Sequence, residues 1–254
     1  MRTVYYVLLF CLVTSSSLTG QDFLESARNQ DAAILFSASY GPQMTAGDLV
    51  DRFGEVWSIE AALDYTFDKS PWQVGLFGQL IFGSRVKEDV IAGLRTAEGF
   101  IVGNQRIPAD VQLGARGYLM GLRVARTFSF GGKNPRAGLK IGLGGAWLIH
   151  RIRLQNDPTQ TVNQIIDEYR AGYDRLTEGP AAYQFIGYQI LGVNRRINLY
   201  GGLELIEAFT SSKRDVDFAT GGPLEENRLD ILAGVRVGII IPFYQGEGRE
   251  IFYR

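Results

Sequence analysis

Apolar and polar positions alternate along most of this chain. In RLDILAGVRVGIIIPFY, residues 228–244, one parity holds Leu229, Ile231, Ala233, Val235, Val237, Ile239, Ile241 and Phe243. The other holds Asp230, Gly234, Arg236, Gly238 and Pro242, with Leu232 and Ile240 its only aliphatics. A spanning helix needs about 20 continuous apolar residues and tolerates a central arginine poorly. This run is shorter, charged in its middle and sorted at period two, so it predicts a strand with one greasy face and one small or charged face. The same pattern recurs at 57–67, 72–82, 118–124, 137–149 and 197–205, and more weakly at 32–41 and 181–192. That makes eight strands, with the facing of the first and the sixth left open.

The connections carry separate information. DKSP (68–71), GGKNPR (131–136) and GVNRR (192–196) are short turns rich in Gly, Pro, Asn and Asp. Long segments at about 42–55, 84–114, 151–180 and 211–227 alternate with them. A soluble lipocalin-like barrel also alternates, but with its apolar face inward. Here aromatics on the apolar parity gather at strand ends: Trp57, Phe82, Trp147 and Phe209 towards the long loops, and Tyr65, Phe67, Trp72 and Phe243 towards the short turns. Two aromatic girdles bounding an aliphatic band are a membrane-interface pattern, and the opposite parity is rich in Gly and Ala, as a crowded lumen requires. The expected fold is all-β: an eight-stranded antiparallel up-and-down transmembrane β-barrel over residues 21–254. It has short turns on one side, long outer loops on the other and one or two short loop helices.

Composition sharpens this picture in two places. The opening MRTVYYVLLFCLVTSSSLTG has one arginine, an apolar core and small polar residues, the layout of an export signal over residues 1–20. The single cysteine, Cys11, lies in that segment, so the mature barrel offers neither a disulfide framework nor a thiol nucleophile. With 26 basic and 27 acidic residues the chain has no cationic excess for nucleic acid.

With the strands placed, the chain resembles the single-domain outer-membrane β-barrels of the Bacteroidota, a porin-like family. The stretches that carry the likeness are FGSRVKEDVIAGLRTAEGFIVGN, KNPRAGLKIGLG, EYRAGYDRLTEG, FIGYQ, NRRINLYGGLELIEAFTSSKRDVDF and RLDILAGVRVGIIIPFY. The resemblance implies an exported barrel in the outer membrane and implies little about activity. The chain departs from many such barrels at its end, where Phe252-Tyr253 is followed by Arg254.

Chemistry is sparse. His150 sits at the outer end of the fifth strand, where lipid-modifying barrels place a Ser-His-carboxylate set, yet no serine lies two residues along beside it. A rim histidine bonded to loop backbone is the expectation, with no catalytic, cofactor or metal residues. A lone histidine and no mature cysteine exclude the usual zinc sets. The inward parity carries Glu60, Asp64, Arg123, Lys140, Glu204 and Arg236, three acids and three bases. An eight-stranded barrel has an interior just wide enough for side chains to fill. These charges therefore predict a closed, paired lumen, with Arg236 meeting Glu204; a charged filter is the alternative. Arg151, Arg153, Lys213 and Arg214 lie just above the outer girdle, placed either to meet lipopolysaccharide phosphates or as ordinary loop bases. Val162, Ile165, Ile166, Tyr169, Tyr173 and Leu176 recur at spacings of three and four, predicting an amphipathic helix with a Thr161–Gln164 capping box and Gly179 at its end. That helix would pack on Val86, Val90 and Leu94 as a lid, or dock a partner protein. The function expected is non-enzymatic: a structural or interaction component of the cell envelope, meeting outer-membrane lipid and a larger envelope complex. The alternatives are a narrow porin for small solutes and, third, a lipid-modifying enzyme.

Overall fold

A computed structural model describes residues 30–130, 134–156, 160–192, 198–224 and 227–245. Residues 1–20, where an export signal is expected, the Phe252-Tyr253-Arg254 tail and parts of the turns at 131–136 and 192–196 lie outside them. Eight antiparallel strands form the wall: β1 (Ala33–Gly47), β2 (Val56–Thr66), β3 (Trp72–Gly83), β4 (Val111–Phe128), β5 (Gly138–Asn156), β6 (Thr177–Leu191), β7 (Asn198–Ser212) and β8 (Asn227–Tyr244). Each pairs with its sequence neighbours, and β1 pairs with β8 to close the barrel, so no strand edge is left to pair with another chain. Followed from Tyr40 through Ile59, Leu80, Tyr118 and onward, the ladder returns to β1 about ten residues further along. A stagger of that size goes with strands tilted about 35–45° to the barrel axis.

The period-two pattern decides which way each strand faces. On β4, Met120 and Leu122 are 71% and 69% exposed, whereas Leu119 between Tyr118 and Met120 is 0% exposed. The first strand turns Ile34, Phe36 and Tyr40 outward and Leu35, Ser37, Ser39 and Gln43 inward. The sixth turns Ile186, Tyr188 and Ile190 outward and Tyr183, Phe185 and Gln189 inward. The outward set forms an aliphatic band, interrupted by Gln184 and Glu207, with aromatic rims: Tyr40 stacks on Trp57 at 5.1 Å on the outer rim, and Tyr65 meets Phe67 at 5.1 Å on the turn side. Such a band is stable only against lipid. β2 and β3, at 11 and 12 residues, are just long enough to cross a bilayer, whereas β4, β5 and β8 run to 18 or 19.

The long strands shorten the outer loops relative to the sequence reading. The stretch 151–156 is wall rather than loop: β5 stays paired with β4 up to Val111↔Asn156. Arg151, Ile152, Arg153 and Leu154 still alternate, but with arginines outward and aliphatics buried inside. Above Trp147, β5 is therefore polar outside and apolar inside. The outer loops are correspondingly residues 48–55, 84–110, 157–176 and 213–226, the second carrying a small hairpin of Ile101–Val102 and Pro108–Ala109.

Candidate functional site: the lumen and its cap

Inward positions at mid-height are brought into rows by the ladder. Asp64 on β2, Gly75 on β3 and Arg123 on β4 occupy one such row. A Cβ on Gly75 would stand 2.2 Å from Asp64 Oδ1, so only glycine leaves this row open. Arg123 reaches across it and donates from Nε to Asp64 Oδ1 at 2.9 Å and from Nη2 to Oδ2 at 2.7 Å, while Nη1 donates to Glu60 Oε1 at 2.9 Å. The opposite wall repeats the device. Gln43, Gly234 and Glu204 form a row across β1, β8 and β7, and Gln43 Nε2 donates over the glycine to Glu204 Oε1 at 2.6 Å.

Arg236 grips Glu204 with both ends of its fork, Nε to Oε2 at 2.8 Å and Nη2 to Oε1 at 2.7 Å. Its remaining donors go to Ser39 and Ser58 at 3.1 and 2.9 Å. Gln79 Nε2 joins the two halves, donating to Glu60 Oε2 at 3.0 Å and Glu204 Oε2 at 2.9 Å. A continuous chain of partners, Asp64–Arg123–Glu60–Gln79–Glu204–Arg236, thus crosses the lumen. Tyr200 donates to Glu60 Oε1 at 3.3 Å from the same level. All six members of that chain are buried. Charge-assisted, bidentate contacts of this kind are what make buried ions tolerable.

Lys140 departs from the expected network. Its Nζ donates to Gln189 Oε1 at 3.0 Å and lies 5.6 Å from the Tyr200 ring, with no carboxylate at ion-pair distance among the described residues. Below it, Arg136 closes the turn side, donating to the carbonyls of Gln30 at 2.7 Å and Phe67 at 3.3 Å. Burial pulls the Arg136 guanidinium down from its ordinary value, and the nearby Tyr244, Asp31 and Asp68 oppose that. Gln43, Gln79, Gln189, Ser39, Ser58 and Tyr200 were not singled out from sequence, although each sits on an inward parity.

An apolar layer lies above the charges: Val56, Ile81, Leu119, Leu148, Ile206 and Leu232. A cavity of about 10 Å³, at the lower limit for one water, lies between Val56, Ile81, Leu148 and Leu232 of this layer and Leu49 and Phe53 above it. His150 crowns this layer, facing inward rather than onto loop backbone. Its Nε2 is 2.7 Å from Asp230 Oδ2, which also accepts from Thr210 Oγ1 at 2.5 Å. The expectation of a backbone partner fails because inward parity points the ring across the barrel to β8. Its Nδ1 meets no polar group among the described residues.

Three loops then close the top. Leu49 and Phe53, Val90, Ile91 and Ile101, and Val162, Ile165 and Tyr173 form one buried cluster with Ile152 and Leu154. Arg52 donates to Glu88 at 3.2 Å and to Thr177 Oγ1 at 2.8 Å. Arg175 pairs with Glu88 of the second loop and, at 2.9 Å, with Asp217 of the fourth. Arg175 holds a left-handed backbone, φ 47°, which a side-chain-bearing residue adopts only where its surroundings impose it.

The amphipathic helix expected at 161–179 is not formed. The segment makes a 3₁₀ turn, Asn163–Ile165, and one helical turn, Asp167–Arg170, and β6 begins at Thr177. Val162 precedes the first turn without a side-chain cap, and Gly179 lies in the sheet, where a Cβ would stand 2.0 Å from the Phe209 carbonyl oxygen. The apolar spacing instead dips two short turns into the cap: Val162, Ile165 and Tyr173 are buried, Ile166 and Leu176 half-buried, and Tyr169 exposed. Val90 is buried in the same cluster, with Val86 and Leu94 packed against it.

The four bases expected above the girdle separate. Arg214 is committed to Asp174, Nε to Oδ1 at 2.8 Å and Nη2 to Oδ2 at 2.6 Å, and those hydrogen bonds raise its pKa from the ordinary arginine value. Lys213 lies 3.6 Å from Glu178. Arg151 and Arg153 face outward on β5, joined by Arg116 of β4 and Arg170 of the third loop. Nothing local in the sequence marks those last two as neighbours of Arg151 and Arg153; the strand register and the third loop bring them there.

No family model matches the chain, and no curated protein matches it. Among solved structures it is similar to Ail, the attachment invasion locus protein of Yersinia pestis, at 11% identity over 84% of this chain and 99% of that one, TM-score 0.40. The N-terminal β-barrel domain of Pseudomonas aeruginosa OprF matches at 12% identity over 83% and 98%, TM-score 0.34. The outer membrane protein AlkL matches at 12% identity over 93% and 100%, TM-score 0.37.

Proposed function

We propose that this chain is a non-enzymatic, non-conducting barrel of the bacterial outer membrane, a structural or interaction component that presents its outer loops to the envelope's exterior. The stretches resembling the porin-like barrels of the Bacteroidota fall largely on its strands and outer loops, which supports placing it among them. The observation that carries the reading is the unbroken chain of partners from Asp64 to Arg236, spanning the lumen beneath a packed apolar layer. A porin needs a water-filled path, and paired charges plus packed aliphatics leave none at this height. Hydrolase chemistry is also disfavoured. A histidine base must meet its nucleophile, whereas the Thr210 hydroxyl donates to Asp230 and not to His150.

The test is electrical and biochemical together. Purified protein added to a planar bilayer is expected to insert without steady conductance steps, and detergent extracts of native membranes to yield co-purifying envelope proteins. Stable, uniform channel openings would instead establish the narrow porin.

A further inference from the structure

Outside the wall, just beyond the outer aromatic rim, four arginines surround a polar groove of about 620 Å³. Arg116 lies two residues past Tyr118 on the outward face of β4, and Arg151 and Arg153 lie four and six past Trp147 on β5. Arg116 and Arg151 are direct ladder partners, and Arg153 is opposite Gly114, which leaves room on that side. Arg170 reaches the groove from the third loop. Like charges this close cost stability unless something neutralises them. Asp174 is the one acid in the lining, and its carboxylate is engaged by Arg214, with Arg151 no nearer than 3.8 Å. Among the described residues, Arg116, Arg153 and Arg170 have no carboxylate at ion-pair distance.

We propose that Arg116, Arg151, Arg153 and Arg170 form a binding site for the phosphate groups of an outer-leaflet phosphorylated glycolipid, seated with its acyl chains along the aliphatic face of β4 and β5. The inference rests on the outer-membrane reading above. Height selects the ligand: the groove begins where Tyr118 and Trp147 mark the interface, the depth at which lipid headgroups lie. Chemistry selects the phosphate, since guanidinium forks match its oxygens in paired, charge-assisted hydrogen bonds. The acyl chains would run down past Met120, Leu122 and Leu143, the most exposed aliphatics of these two strands.

The test uses the full barrel folded into phosphatidylcholine vesicles containing a small fraction of bisphosphorylated lipid A. After re-extraction into detergent, bound lipid phosphorus is counted per protein. Wild type is expected to retain lipid A, and Arg116→Gln/Arg153→Gln about tenfold less, a loss within reach of one charge-assisted hydrogen bond. Arg126→Gln removes an outward charge on the opposite rim, where Arg126 stacks on Trp72, and is expected to retain lipid as wild type does. Equal retention by the Arg116→Gln/Arg153→Gln protein, or an equal loss in Arg126→Gln, overturns the site. Complete displacement by millimolar inorganic phosphate would overturn the lipid assignment in favour of a free anion. Failure of wild type to insert and migrate differently before and after boiling would instead defeat the membrane-barrel reading itself.

Discussion

Strand β5 changes character along its length. Below Trp147 it turns Ile141, Leu143 and Trp147 outward and Lys140 inward; above it, Arg151 and Arg153 face outward and Ile152 and Leu154 are buried. The parity never slips, but the polarity attached to each parity reverses. The medium outside the wall explains this. Against lipid the outer face must be apolar, and the narrow interior is filled with charges that hydrogen bonds neutralise. Against water the wall follows the soluble-barrel rule, polar outside and apolar inside. Two differently built cores therefore share one ladder: a charged lower core fixed by strand register, and an apolar upper core completed by loops.

If register fixes the lower core, the harshest change is one that blocks a row. Gly75→Leu would drive a side chain into Asp64 Oδ1 and, at 2.5 Å, the Leu63 carbonyl oxygen. Loss of the heat-resistant, fast-migrating species on an unboiled gel is expected; a normal folded band would show that the row has slack. Next in size is Arg236→Met, which strands Glu204 and is expected to cost about 3–5 kcal/mol in urea unfolding from lipid vesicles. Adding Glu204→Gln should restore part of that loss, and strict additivity of the two changes would disprove the pairing.

The upper core should fail differently. Ile165→Ala leaves a cavity in the cap, expected to weaken it by about 2–3 kcal/mol, the low end for such truncations because loops relax around the gap. The loops at 84–110 and 157–176 should then become protease-sensitive while the barrel's unfolding midpoint stays where it was. A shifted midpoint would mean that the two cores are one cooperative unit. The smallest effect belongs to the outer face. Glu207 lies outward on β7, three residues from Glu204, with Gln184 Nε2 donating to it at 3.4 Å. Near the interface a charge costs about 0–1 kcal/mol, so Glu207→Leu should move stability by no more than that, in contrast to Glu204.

These two cores were not equally legible in the sequence. Period-two alternation marks strands whatever surrounds them, so the eight-stranded wall, and the inward placing of Glu60, Asp64, Arg123, Glu204 and Arg236, could be read from the chain. The same period-two rule continues β5 through 151–156, but outward Arg151 and Arg153 break the apolar-outside pattern that lipid imposes and so resemble loop. The cap was beyond reach for another reason. Val162 and Ile165 share a buried cluster with Val90, Ile91 and Ile101, scores of residues away along the chain, and spacings of three and four suit two dipping turns as well as one helix. Gln79, the link between the halves of the lumen network, carries no charge to draw notice, although its parity gave its position.

Accessibility of the lumen to water can be read at one atom. The chain's one cysteine is Cys11, so in protein prepared from residue 21 onward a cysteine placed in the wall reports alone. Ser58 is 0% exposed and bonded to Arg236, and serine to cysteine is a small change in size. In protein folded into vesicles, a small sulfonated thiol reagent is expected to label an outer-loop Glu98→Cys completely and Ser58→Cys only after unfolding. Labelling of Ser58→Cys in the folded barrel at the rate of Glu98→Cys would contradict a sealed lumen.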